Sequence, residues 1–163
     1  MFKSLFKKKV EPEQVMAPLT GKTVTLEDVP DPVFSQKMMG DGMAIIPADK
    51  QVYAPVDGEI VNVFATKHAI TMRTKAGAEI LIHMGLETVE LKGEGFNILV
   101  QDGTKVTKGQ PIAEFDIEKV SSLGKEIITP IILLNGEEFK LENKLTSATT
   151  TGGKDIIMEI SKA

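Results

Sequence analysis

Residues Phe64 to Phe96 read FATKHAITMRTKAGAEILIHMGLETVELKGEGF and contain both histidines of the chain, His68 and His83, fifteen residues apart. Between them lie two β-rich alternating runs separated by Thr74-Lys75-Ala76-Gly77, a polar turn signal that ends in glycine. A hairpin with Lys75 and Ala76 at its tip sets His68 directly opposite His83. With Ala76-Gly77 at the tip the histidines become diagonal neighbours on the same face. Opposed residues have Cβ atoms roughly 5 Å apart and diagonal ones roughly 7–8 Å, so either pairing brings the rings together. A slip of one residue would send them to opposite faces. The expected histidine face carries Phe64, Thr66, His68, Ile70 and Met72 on one strand and Leu81 and His83 on the other. Ile80, Ile82 and Met84 lie on the second strand's other face. One of these apolar faces is core. If the histidine face is the outward one, it is an exposed apolar patch around two imidazoles, the mark of a docking surface. The plainer alternative is two satisfied histidines in or near the core.

The rest of the chain narrows the chemistry. At 163 residues it fits one domain, with 42% hydrophobic and 26% charged residues. A net charge of −4 gives nucleic acid no electrostatic footing, and cysteine is absent. Disulfides, thiolate metal sites and cysteine nucleophiles are thereby excluded, which fits a reducing cytoplasm. No apolar run is long enough to span a bilayer, and no signal peptide is visible. MFKSLFKKK (1–9) places Phe2, Leu5 and Phe6 among lysines. It reads either as a basic amphipathic helix that could touch an anionic membrane or as a solvated tail. Residues 1–14 are assigned to this tail and a linker, and 15–163 to the folded domain.

Within that domain almost every segment reads as a short strand ended by Gly, Pro, Asp or Asn. Strands are expected at 42–46, 105–106, 110–115, 127–134 and 156–160, and short helical turns at 32–38, 95–101 and 117–123. MAPLTGKTVTLEDV (16–29) and YAPVDGEIVNVFAT (53–66) share Ala-Pro-x-x-Gly at an offset of 37, a hint of internal duplication. The pattern predicts an all-β domain, a compact antiparallel β-sandwich or barrel-like fold with a few short helical turns.

Several chemistries find no support. The glycine pairs at Gly40-Asp41-Gly42 and Gly93-Glu94-Gly95 match neither phosphate-loop spacing and read as turns. QDGTKVTKGQPIAEFD (101–116) and APVDGEI (54–60) are similar in style to biotinyl and lipoyl carrier domains, but no lysine has the Met-Lys-Met or Asp-Lys-Ala setting. Two histidines without HxH or HExxH fall short of a catalytic zinc site, and no Gly-x-Ser-x-Gly turn offers a serine nucleophile. Paired imidazoles suit phosphoryl transfer. One ring accepts the group near pH 7, and the other donates a hydrogen bond to its oxygens. Thr66, two residues before His68, could orient that ring.

IHMGLETVELKGEGF (82–96), VPDPVFSQKMMGDGMAIIP (29–47) and YAPVDGEIVNVFATKHA (53–69) closely resemble the glucose-type enzyme IIA of the bacterial phosphoenolpyruvate:sugar phosphotransferase system. The resemblance implies an antiparallel sandwich of the duplicated hybrid motif type and a cytoplasmic, monomeric phosphocarrier without cofactor. It implies that His83 takes the phosphoryl group on Nε2, that His68 contacts it and serves onward transfer, and that Thr66 hydrogen-bonds within the site. The implied donor is the histidine phosphocarrier protein HPr, and the implied acceptor is a cysteine of a sugar-specific IIB domain. Docking is implied at Val33, Phe34, Met39, Phe64, Ile70, Met84 and Val89, with Asp31 and Glu87 as acidic edge positions. Pro32, Met39, Ile70, Met84 and Glu87 depart from better-known members while keeping the patch's character. A regulatory protein that reports its phosphorylation state to other transporters or enzymes is the alternative function.

Overall fold

A computed structural model describes residues 11–163. Fourteen strands form three antiparallel sheets among them. The main sheet has eight strands in the order β13 (Thr149–Thr150), β2 (Gly21–Thr25), β3 (Gly42–Pro47), β11 (Thr129–Leu133), β7 (Glu79–His83), β6 (Ala69–Thr74), β5 (Gly58–Val63) and β9 (Lys105–Val106). A second sheet joins β1 (Glu13–Met16), β14 (Ile156–Lys162) and β12 (Phe139–Glu142). The third joins β4 (Gln51–Tyr53), β10 (Pro111–Phe115) and β8 (Phe96–Ile98). None of the three closes into a barrel, so the fold is the all-β sandwich expected and not its barrel-like variant. Two short helices, α1 (Pro32–Ser35) and α2 (Ile117–Ser122), and two 3-10 turns, Leu26–Asp28 and Thr88–Leu91, complete the described residues. None of these helices is long and apolar enough to cross a membrane.

The amphipathic reading of residues 1–9 lies outside the described residues. Glu13 and Gln14, assigned above to the linker, stand in β1 opposite Ile160 and Glu159. The helical turn expected at 95–101 is replaced by β8. Phe96 stacks on Phe115 at 5.2 Å between ring centroids, and the neighbouring Asn97 donates to the Glu114 carboxylate. This period-two partnering across β8 and β10 overrides the local turn signals.

The 37-residue repeat extends into the hydrogen bonding. The Met16 N–H donates to the Pro55 carbonyl and the Tyr53 N–H to the Pro18 carbonyl, both at 2.8 Å. Ala17 exchanges backbone bonds with Gly153 and Asp155, and Ala54 does the same with Gly109 and Gln110. The side chains of Thr20 and Asp57 each accept from the backbone of a facing loop, from the Gly152 and Lys108 N–H groups. At Gly21 and Gly58 an added Cβ would lie 2.1 Å from the Ile46 carbonyl oxygen and 2.2 Å from that of Arg73. Both positions are therefore held to glycine by close backbone approach. The main sheet is thus two related halves meeting at the β11–β7 pair, where Ile131 faces Ile82.

The halves differ in one connection. Between β5 and β6 the chain needs only five residues, Phe64 to His68; between β2 and β3 it takes sixteen, Leu26 to Asp41. This longer segment folds over the outer face of the sheet and buries it. Val24, Leu26, Val29, Phe34, Ala44, Ala69, Leu81, Leu86, Ile128 and Ile132 form a second apolar cluster there, separate from the main core. Hence β7 and β11 are apolar on both faces and read as continuous runs, not alternations.

Candidate functional site

His83 is the last residue of β7 and projects from the outer face, on the same side as Leu81. The β6–β7 register pairs Ala69, not His68, with His83, and Ile70 with Ile82. This is a one-residue slip from the pairing expected with Lys75 and Ala76 at the tip. The rings still meet, at 4.9 Å between centroids and 79° between planes. His68 lies just outside β6, and Lys67 before it adopts a left-handed backbone at φ 63°. That turn breaks the strand's alternation and releases His68 from the face the register would assign.

Each ring is held at Nδ1. The Thr66 hydroxyl pairs with His68 Nδ1 at 2.7 Å, and His83 Nδ1 pairs with the Gly85 carbonyl at 2.7 Å. A carbonyl only accepts, so His83 Nδ1 carries the proton and Nε2 keeps an unshared lone pair. Phe34 packs against His83 at 5.0 Å, and Phe64 meets His68 edge-on at 5.4 Å. Asp31 caps α1 by accepting from the Val33 N–H at 3.0 Å, with Pro32 at the first helical position, and so fixes the turn that delivers Phe34.

His68 is only 4% exposed, and burial together with the neighbouring His83 pushes its pKa down to about 4. Burial also lowers the pKa of His83, against the opposing pull of the Gly85 carbonyl and the Asp31 charge. Both rings are therefore held below the ordinary histidine value, on the neutral side near pH 7.

The residues expected to form the docking patch divide. Val33, Met39 and Val89 are exposed, Phe64 and Asp31 half-buried, and Glu87 exposed on the rim. Ile70 and Met84 do not join them. Both are fully buried in the main core on the opposite side of the sheet: the observed register turns Ile70 inward with Ile82, and strand alternation sends Met84 to the face opposite His83. Phe34 is also buried, at 4% exposure, and forms the wall behind His83, not an open contact surface. Met38, not anticipated, is the most exposed large apolar residue beside this patch at 68%. A cleft of about 240 Å³ between Asp31, Leu86, Glu87, Lys125 and Glu126 borders it, acidic apart from Lys125, which is paired with Glu90. Gly85 was also missed, since what it supplies is a backbone carbonyl. A histidine at a strand end with glycine two residues on was the one trace of it. Among the described residues, no group of three or more His, Asp or Glu side chains gathers as metal donors.

Residues 13–139 match the family described as phosphoenolpyruvate-dependent sugar phosphotransferase system, EIIA 1. A glucose-specific EIIA component of Halalkalibacterium halodurans is 48% identical over 148 residues, covering 91% of this chain and 86% of that protein. One from Oceanobacillus iheyensis is 47% identical over 163 residues, covering 98% and 99%. The structure of the glucose permease IIA of Mycoplasma capricolum superposes with a TM-score of 0.85 at 38% identity, over 93% of this chain and 96% of that one. By fold, by site geometry and by likeness along nearly its whole length, the chain belongs to the EIIA type-1 family of the phosphoenolpyruvate-dependent sugar phosphotransferase system.

Proposed function

We propose that the protein is the glucose-type phosphocarrier of its sugar phosphotransferase system, accepting a phosphoryl group from phospho-HPr on His83 Nε2 and passing it to a IIB domain. The observation that carries this reading is the Gly85 carbonyl on His83 Nδ1, which leaves Nε2 as the free nucleophilic nitrogen. The Nε2 lone pair forms the new P–N bond as the donor histidine's P–N bond breaks. No proton has to leave His83, because Nδ1 already carries it. In the second step the IIB cysteine thiolate takes the phosphoryl group, and the ring returns to its neutral form.

His68 contacts the bound group and serves its onward transfer. With the Thr66 hydroxyl donating to its Nδ1, His68 presents Nε2–H as a donor to a phosphoryl oxygen. Its low pKa keeps that donor uncharged, so it steadies the transferring oxygens without holding the phosphate in an ion pair. Val33, Met38, Met39 and Val89 supply the apolar docking surface, and Asp31 and Glu87 an acidic rim for basic partner residues. HPr and the IIB domain use this one surface in turn, with the protein acting as a monomer in the cytoplasm.

A reconstituted chain of phosphoenolpyruvate, enzyme I, HPr, this protein and a glucose-type IIB-bearing permease tests the reading. His68→Gln is expected to accumulate phosphoprotein while sugar phosphate formation falls roughly a hundredfold. Wild-type sugar phosphorylation by that variant would remove His68 from the mechanism.

A further inference from the structure

The residues just after His83 form a loop closed by its own hydrogen bonds. Met84 extends the β7 ladder by one bond, its N–H donating to the His68 carbonyl at 2.8 Å. Gly85 then turns left-handed at φ 79°, and Glu87 follows at φ 57°. Thr88 closes the loop. Its hydroxyl donates to the Met84 carbonyl at 2.7 Å, and the residue is completely buried. Its methyl carbon occupies the space beside Gly85, where a Cβ on that glycine would lie 2.6 Å from it. The Gly85–Leu86 peptide is also gripped at both ends. Its carbonyl accepts from His83 Nδ1, and its N–H donates to the Glu126 carbonyl at 3.0 Å. Lys125, paired with Glu90, ties the same two loops together one step further out.

We propose that Thr88 is a positioning residue for phosphoryl transfer, fixing the Gly85 carbonyl so that His83 is held in its Nδ1–H tautomer. This rests on the phosphocarrier reading of His83. Thr88 is completely buried beneath the site, out of reach of a docked protein, so it acts only through Gly85. Its hydroxyl sets the Met84 carbonyl, its methyl bars the other settings of Gly85, and Glu126 anchors the amide end of the acceptor peptide. Were the carbonyl free to swing, the imidazole could place its proton on Nε2 and lose its nucleophile. The same geometry steadies Nδ1–H after Nε2 is phosphorylated, when that proton is what makes the ring a competent leaving group.

The experiment reads the His83 tautomer by imidazole ¹⁵N–¹H correlation in the unphosphorylated full chain, alongside the rate of phosphorylation by phospho-HPr. Thr88→Val keeps the shape and removes the hydroxyl. It is expected to mix the two tautomers and slow phosphorylation roughly tenfold or more, with KM for phospho-HPr little changed. Thr88→Ser keeps the hydroxyl but loses the methyl, and is expected to lie nearer the wild type than the valine variant in both tautomer and rate. Should the valine variant fail to fold, Thr88→Cys, which keeps a weak donor in place of the hydroxyl but lacks the methyl group, is expected to give a mixture of tautomers. A wild-type tautomer in the valine or cysteine variant would overturn the proposal, and so would equal damage in Thr88→Ser. A wild-type chain that accepts no phosphate would instead sink the phosphocarrier reading, and the tautomer measurement would still decide the part played by Thr88.

Discussion

His68 and His83 stack edge to face at 4.9 Å although the ladder sets Ala69, not His68, across from His83. The contact is made by a backbone departure, the left-handed Lys67 at φ 63°, and by the Thr66 hydroxyl that holds the displaced ring. Strand alternation alone would have parted the two histidines. The site thus depends on the five-residue connection from Phe64 to His68 as much as on the strands it joins.

The pH dependence of stability follows from His68. Its folded pKa is depressed to about 4 from 6.5, so the unfolded chain binds a proton that the folded one refuses. The contribution of this group is complete above pH 6.5 and declines as pH falls through the window down to about 4. Its size is on the order of 2 kcal/mol. Urea titrations across that range should show stability falling as pH falls, with a shallower slope in His68→Gln. Parallel slopes in the two proteins would refute the assignment.

Gly85→Ala combines a left-handed backbone with a Cβ 2.6 Å from the Thr88 methyl and 2.8 Å from the Glu126 carbonyl oxygen. Urea unfolding is expected to show a loss of about 2–4 kcal/mol. The folded fraction should accept phosphate more slowly, because the Gly85 carbonyl has moved. Unchanged stability and rate would mean the loop accommodates the methyl group and that its observed geometry is not required.

Core residues and the proposed docking residues should separate by mutation. Ile70→Ala opens a void in the main core and should cost about 2–5 kcal/mol in denaturant unfolding, with KM for phospho-HPr little altered in the folded protein. Val89→Asp should leave stability within about 0.5 kcal/mol and raise that KM. An interchange of these two outcomes would restore Ile70 to the docking surface.

Much of this was legible in the chain itself. The density of short strands and turn signals pointed to a β-sandwich, and His83, His68 and Thr66 were marked by their residue types and by family resemblance. What escaped depends on register and burial. A single-residue shift in the ladder turns Ile70 away from the face of His83, while Met84, next to His83, takes the opposite face by strand alternation, against the docking role the resemblance implied. The resemblance placed Phe34 on the docking surface, yet the segment that carries it covers the outer sheet face and buries its ring there. The carbonyl of Gly85 and the hydroxyl of Thr88 escaped for another reason. Both work through backbone hydrogen bonds, which no side-chain motif records.

The internal duplication supplies a control. The Met84 N–H donates to the His68 carbonyl, and in the other half the Leu133 N–H donates to the Asp41 carbonyl at 2.9 Å, so Asp41 occupies the position related to His68. Burial raises the Asp41 pKa, but the hydrogen bond and charge of Lys144, 2.6 Å away, outweigh it with help from the Gly42 N–H and Lys37, and the net shift is downward. Asp41→Asn should cost no more than about 1 kcal/mol near neutral pH, because the pair is partly solvated. Phosphorylation should be unchanged. A loss of phosphate acceptance in this variant would show that the second half of the sheet takes part in the chemistry.

The central claim is a transient phosphohistidine at His83. Intact mass after incubation with phosphoenolpyruvate, enzyme I and HPr, before and after acid and base treatment, tests it most directly. The account predicts one added phosphate that is lost in acid, survives base and is absent from His83→Ala. Phosphate retained by His83→Ala, or none gained by the wild-type chain from active donors, would contradict it.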